Sequence, residues 1–147
     1  MPIRVKSIYD KPAPADGYRV LVMRLWPRGV RKDAVDVWER DLGTPLDLIK
    51  DWKSGRVAWA EFARRYRAAM QGRQDKMAAL AARAEKQNVT LLCGCRDENT
   101  CHRILLKEMI EKAARAPKRA QMAAYSHVST KYRIETFLNS VLENRTS

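Results

Sequence analysis

The sequence predicts an α/β fold: a single compact domain with a small, mostly parallel sheet flanked by helices, plus a C-terminal helical extension. Three observations carry this. Two short apolar runs, residues 19–23 (RVLVM) and 89–93 (VTLLC), have the length and composition of strands covered on both faces. The stretch between them holds amphipathic stripes at helical spacing. Strands separated by helices favour parallel pairing, because a parallel partner needs a long crossover. A length of 147 residues suits one core, and 46% hydrophobic with 31% charged residues is the balance of a globular chain.

Along the chain, Ile3, Val5 and Ser7 alternate with charged residues and form a first short strand. Residues 10–17 (DKPAPADG) are a loop of turn formers. The run at 19–23 stops before Trp26, Pro27, Arg28 and Gly29, where proline and glycine cannot continue a ladder. Asp33 is placed to cap a short helix through Val37, Trp38 and Leu42, ended by Gly43. Thr44 and Pro45 open the next, through Leu48, Ile49 and Trp52. Trp59, Phe62, Tyr66 and Ala69 make one helical stripe, and Met77, Leu80, Ala81 and Ala84 another. After 89–93 comes a loop over 94–100, then a helix from Cys101 to residue 116 with Leu105, Leu106, Met109, Ile110 and Ala113 on its apolar side. The α/β domain thus takes residues 1–116. Residues 117–147 form a basic extension, with Ile134, Phe137, Leu138, Val141 and Leu142 along one side of a helix. A helix that short is marginal alone, so it is expected to pack on the domain or to join copies through residues 130–143.

The formal net charge of +12 favours acidic partners: a small anionic ligand, or nucleic acid along a basic surface. No apolar run approaches the ~20 residues of a membrane span, and the opening MPIRVKSIYDKP has no apolar signal core. No membrane partner and a cytoplasmic location are expected. The three cysteines, packed between positions 93 and 101, make a poor disulfide framework and better reactive or metal-binding thiols.

Those cysteines mark the candidate site. Strand, short loop and helix start are the ingredients of an anion site, because the first N–H groups of a helix lack partners and carry partial positive charge. Thr100 is a candidate N-cap, which puts Cys101, His102 and Arg103 in the first turn. A helix N-terminus and neighbouring cations lower a thiol's pKa. Cys93, Cys101 and His102 are therefore the candidate catalytic residues, with Gly94 and Arg103 as ligand-binding candidates. The spacing from Cys95 to Arg103 is too long for a phosphatase Cys-x5-Arg loop. Against an anion, Asp97 and Glu98 lie in the loop, and cysteine is commonly plain core. Thiol chemistry is the first reading and no metal is predicted; if one is held, its ligands are Cys93, Cys95, Cys101 and His102. The sequence names no cofactor. Arg24 and Arg28 follow the other buried run. With parallel strands they face the same crevice as the cysteines, where open α/β sheets bind ligands. The alternative pairs them with Glu39 or Asp41 and makes Trp26 core.

IYDKP near the start, DGYRVLVMRLWPRGV, Trp59 to Tyr66, and VTLLCGCRDENTCHR together resemble the DUF488 family of the YeaO-like type, over residues 1–115. The resemblance implies a compact bacterial or archaeal α/β domain and no established activity. It supports Arg24, Trp26, Pro27, Arg28 and Gly29, and the segment of Cys93, Cys101, His102 and Arg103. Relatives of this type often carry an acidic residue where this chain has Met23, and often lack the cysteines of the later loop. Three functions follow: a small-molecule enzyme or binding protein for an anionic ligand, with a cysteine nucleophile or redox thiol as its candidate chemistry; a basic nucleic-acid-binding module; or an interaction protein joined through its C-terminal helix.

Overall fold

In a computed structural model of the protein, residues 3–115 are described. The strands are β1 (Ile3–Ser7), β2 (Tyr18–Leu21), β3 (Val37–Trp38) and β4 (Val89–Cys93). They form one sheet in the order β1-β4-β2-β3, with every neighbouring pair parallel. The helices are α1 (Leu46–Lys53), α2 (Trp59–Met70), α3 (Gln74–Ala84) and α4 (His102–Arg115). The expected α/β class and parallel sheet are thus observed. β4 is buried at all of its positions, as its unbroken apolar run requires for a central strand.

The two faces of the sheet are covered differently. On one face Val20, Val22, Val89 and Leu91 meet apolar residues from all four helices, including Leu48, Phe62, Leu80 and Leu106. On the other, Leu21 and Leu92 lie beneath Trp26, Val30, Val35 and Trp38, which come from the segment between β2 and β3 and from β3 itself. Among the described residues, no α-helix contributes to this second cluster.

The second face also holds a buried polar knot. Asp16 accepts from Lys6 Nζ at 3.1 Å, from the Ala13 N–H at 3.0 Å and from the Arg19 guanidinium. Its own carbonyl accepts from Thr90 Oγ1 at 2.7 Å, so the loop before β2 is tied to the central strand. Gly17 closes that loop at φ +63°, and a Cβ there would lie 2.2 Å from the Asn88 carbonyl oxygen.

Two expectations are corrected. The short helix through Val37, Trp38 and Leu42 is not formed. Residues Lys32–Ala34 and Arg40–Leu42 make single 3-10 turns, and Val37 and Trp38 pair with Val20 and Leu21 as an edge strand. The cause is Asp36 rather than Asp33: its carboxylate accepts from the Arg19 N–H at 2.7 Å, and its N–H donates to the Arg19 carbonyl at 2.9 Å. That docking fixes the β-branched Val37 in extended backbone. Ala69 is exposed, and Ala63 and Met70 complete the buried stripe of α2. The extension at 117–147 and its helix at 130–143 lie outside the described residues. Among the described residues, no helix is long and apolar enough to cross a membrane.

Asp16 supplies the first prediction. Burial alone would raise its pKa, but the Ala13 N–H, Lys6 and Arg19 together hold it below its ordinary 3.8. A carboxylate with a depressed folded pKa stabilises fully above its ordinary value, and that contribution is lost as pH falls through the lowered one. Asp16→Ala leaves the Arg19 guanidinium buried without its carboxylate and is expected to cost about 3–5 kcal/mol in urea unfolding at neutral pH. The cost should shrink as the titration is repeated at progressively lower pH.

Candidate active site at the carboxyl edge of the sheet

Because β2 and β4 are parallel neighbours, they end at the same edge. Leu21 pairs with Leu92, and the Val22 N–H still donates to the Leu92 carbonyl at 3.0 Å. Beyond that point Met23, Arg24 and Leu25 leave one strand while Gly94 and Cys95 leave the other. Together with Thr44, Ile49, Trp52, Lys53, Phe62, Thr100 and His102 they line a cavity of about 320 Å³.

The cysteine-bearing turn forms one end of it. Asp97 caps the loop by accepting from the Asn99 N–H at 2.9 Å. Thr100 does not cap α4 as expected. Cys101 precedes the helix in extended backbone (φ −123°, ψ 141°), and its carbonyl accepts from the Ile104 N–H at 3.2 Å. Thr100 faces the cavity instead. Cys93, Cys101 and His102 are buried, while Cys95 is half-buried. Cys93 Sγ lies 3.4 Å from Cys95 Sγ and 3.9 Å from His102 Nδ1; Cys101 Sγ lies 3.8 Å from that nitrogen.

The orientation of His102 is dictated from its far side. Nε2 is paired with the Val22 carbonyl. A carbonyl only accepts, so Nε2 carries the hydrogen and Nδ1 faces the sulfurs. The Tyr66 ring stands against the imidazole at 5.4 Å between centroids, and its hydroxyl donates to the Leu42 carbonyl at 2.7 Å. The Cys93 thiol is held far below its usual range by hydrogen bonds from Cys101 and Cys95 and by His102, against the opposing effect of burial. Cys101 is pushed far up by the proton it shares with Cys93, by Cys95 and by burial. Burial disfavours an imidazolium, yet contacts with Cys93 and Cys95 and the Val22 carbonyl raise His102 to about 10. Burial also lifts the Tyr66 hydroxyl well above its ordinary 10.0, with the charges at Cys101 and Cys93 adding to it.

The arginines divide. Arg24 lines the cavity, donates through Nη2 to the Gly43 carbonyl at 3.0 Å and stands 3.6 Å from Asp41, so it both pairs and faces the crevice. Glu39 takes Lys76 instead, at 3.0 Å. Arg28 is exposed and is not among the lining residues; its carbonyl accepts from the Tyr9 hydroxyl at 3.4 Å. Gly29 beside it turns at φ +73°. Arg103 is 1% exposed and donates to the Lys6 carbonyl at 2.8 Å and the Cys93 carbonyl at 3.1 Å, which makes it a tie between α4, β1 and β4 rather than a ligand contact. Gly94 lines the cavity, but a Cβ there would meet Met23 and Tyr9 only at 3.4 Å, so no sharp turn depends on it. Sequence reasoning missed Lys53, Thr44, Trp52 and Phe62 as lining residues. Trp52 and Phe62 carried only a core signal, and Lys53 reaches the cavity through the packing of α1.

A sequence pattern described as the active DUF488-N3 subclade matches residues 3–114. The uncharacterized protein YeaO of Escherichia coli K12 is 34% identical over 112 residues, covering 75% of this chain and 97% of YeaO. The uncharacterized proteins Mb3100c of Mycobacterium bovis and Rv3073c of Mycobacterium tuberculosis are each 36% identical over 90 residues, 60% of this chain and 70% of theirs. No solved structure matches the chain.

One close approach shapes the cavity wall. A Cβ on Gly43 would lie 2.3 Å from the Arg24 nitrogen and 2.6 Å from the Met23 carbonyl carbon, both backbone. Gly43→Ala therefore forces these two segments apart and should cost at least about 1–3 kcal/mol in thermal or urea unfolding. Gly72→Ala, where a Cβ meets nothing within 4 Å, is the control and should be near neutral.

Proposed function

Because the chain belongs to the DUF488 family, whose membership brings no assigned activity, we propose its function from the cavity: a small-molecule protein that binds an anionic ligand with an apolar body at the carboxyl edge of the sheet. The observation that carries this is convergence. Apolar walls (Met23, Leu25, Leu46, Ile49, Trp52 and Phe62), the cations Arg24 and Lys53, and a floor of Cys93, Cys95 and His102 share one cavity. Cavities of this kind bind ligands through apolar area and orient them with a few polar groups. Among the described residues Lys53 has no side-chain partner, and it lines the cavity beside Arg24, so the two bring positive charge to an anion there. The floor holds the groups able to do chemistry on such a ligand, in keeping with the description of the matching subclade as active.

Nucleic-acid binding is the second reading, supported by the net charge of +12. The arginines of α2 give it less support. Arg64 pairs with Glu61, Arg65 with Asp51 and Arg67 with Glu108, so none is free to follow a phosphate backbone without losing a partner.

Trp52 makes the first reading testable with simple probes, phenyl phosphate and phenylacetate, through tryptophan fluorescence. Saturable quenching is expected. Lys53→Ala and Arg24→Gln should each weaken it about tenfold, the equivalent of 1.4 kcal/mol. Arg28→Ala, outside the cavity, should leave it unchanged. Quenching equally insensitive to Lys53→Ala, Arg24→Gln and Arg28→Ala would sink the cavity reading, and salt-sensitive binding of a mixed-sequence oligonucleotide would replace it.

A further inference from the structure

We propose that Cys93, Cys95, Cys101 and His102 form a Cys3His metal centre for a soft divalent ion, zinc before any other. The four ligand atoms all lie within 4.8 Å of one another. A tetrahedral zinc with Zn–S of about 2.3 Å and Zn–N of about 2.0 Å sets its ligand atoms about 3.5–3.8 Å apart. Three of the distances here, 3.4 Å, 3.9 Å and 3.8 Å, already fall near that spacing. The remaining separations do not exceed 4.8 Å.

A second observation is independent of the sulfurs. The Val22 carbonyl holds the His102 Nε2–H, which leaves Nδ1 on the thiol side as the one ring nitrogen able to ligate an ion once its proton is released. This is the outer-sphere arrangement that metal-bound histidines use to fix ring orientation and tautomer. The backbone supports the set as well. Cys93 ends a central strand, His102 begins α4 with Cys101 directly before it, and Arg103 ties that helix start to the Cys93 carbonyl, so Cys93 and His102 sit on rigid elements and Cys101 adjoins one. Cys95, in the loop, is the adaptable fourth.

The donor set selects the ion. Three sulfurs and one imidazole suit zinc, whereas magnesium and calcium take oxygen. On binding, the three sulfurs bond to the ion as thiolates and Nδ1 as neutral imidazole, so every proton still held by a sulfur or by Nδ1 passes to solvent. Three thiolates on a divalent cation leave one net negative charge, which the positive end of α4 faces. Adjacent residues on a helix diverge by ~100°, which argues against joint ligation by Cys101 and His102 within one helix. Cys101 escapes this because it lies before the helix in extended backbone, which turns its sulfur back to within 3.8 Å of Nδ1. Cys93, Cys95 and His102 also line the cavity. That the ion would form part of the ligand's floor rests on the cavity reading above; the centre itself does not.

The full chain, purified under reducing conditions from zinc-supplemented cells, should carry one zinc per chain through dialysis, measured by plasma mass spectrometry. Cobalt exchange should give a sulfur-to-cobalt charge-transfer band and intense tetrahedral visible bands. Cys93→Ser and His102→Ala should lower retained zinc roughly tenfold or more. Cys95→Ser should keep the metal with a shifted charge-transfer band, a readout that does not depend on the buried variants folding. Wild-type protein that takes up neither zinc nor cobalt, or whose cobalt spectrum lacks the sulfur band, would overturn the centre. Arg24→Gln and Lys53→Ala should keep full zinc. In the wild-type protein, no saturable quenching with zinc intact removes the cavity reading alone, and absent zinc with saturable quenching intact removes the centre alone.

Discussion

Everything at the carboxyl edge of the sheet depends on how the first turn of α4 is sewn to the strands. Two consecutive polar side chains, His102 and Arg103, are buried there, and both point at strand carbonyls. His102 takes the Val22 carbonyl just past β2, and Arg103 takes those of Lys6 in β1 and Cys93 in β4. One helix turn thus satisfies acceptors at the ends of three parallel strands. Burying polar groups without partners is costly, so this stitching is also a selection against other placements of the helix. The sulfurs gather because the turn is held, and the cavity exists because the strands beside it end together.

How much of this was legible in the sequence varies by residue for physical reasons. β4 was readable because five consecutive buried residues leave no other strand or helix pattern to choose. Residues 33–42 were not. Val37, Trp38 and Leu42 fit a helical stripe, while Val35 and Val37 also fit alternation, and the choice was made by Asp36 docking on β2 seventeen residues away. The thiols were readable as a group since nine positions hold all of them, but their common focus with His102 depends on Cys101 lying outside the helix.

Arg24, Arg28 and Arg103 show the limit of reading charge. In a linear sequence all three look like anion binders beside strand ends. Trp26 docks edge-on against Trp38 at 5.3 Å and donates to the Val30 carbonyl at 2.9 Å, which separates Arg24 in the cavity from Arg28 at the surface. Arg103 is spent on backbone carbonyls. A guanidinium has five donors and no acceptor, so it serves equally as ligand clamp or as internal brace. Only the positions of the surrounding carbonyls distinguish the two.

The strand order has a consequence for how the chain is made. β1 and β2 are both complete by residue 21, yet each pairs with β4 and not with the other. Until residues 89–93 leave the ribosome, the first strand has no neighbour and the second has only the two-residue edge of β3. Residues 46–84 must therefore wait as helices without a sheet to lie on. Non-local pairing of this kind is slow and leaves apolar faces uncovered in the nascent chain. The arrival of β4 joins both halves in one step, and the cysteine-bearing turn follows directly behind it.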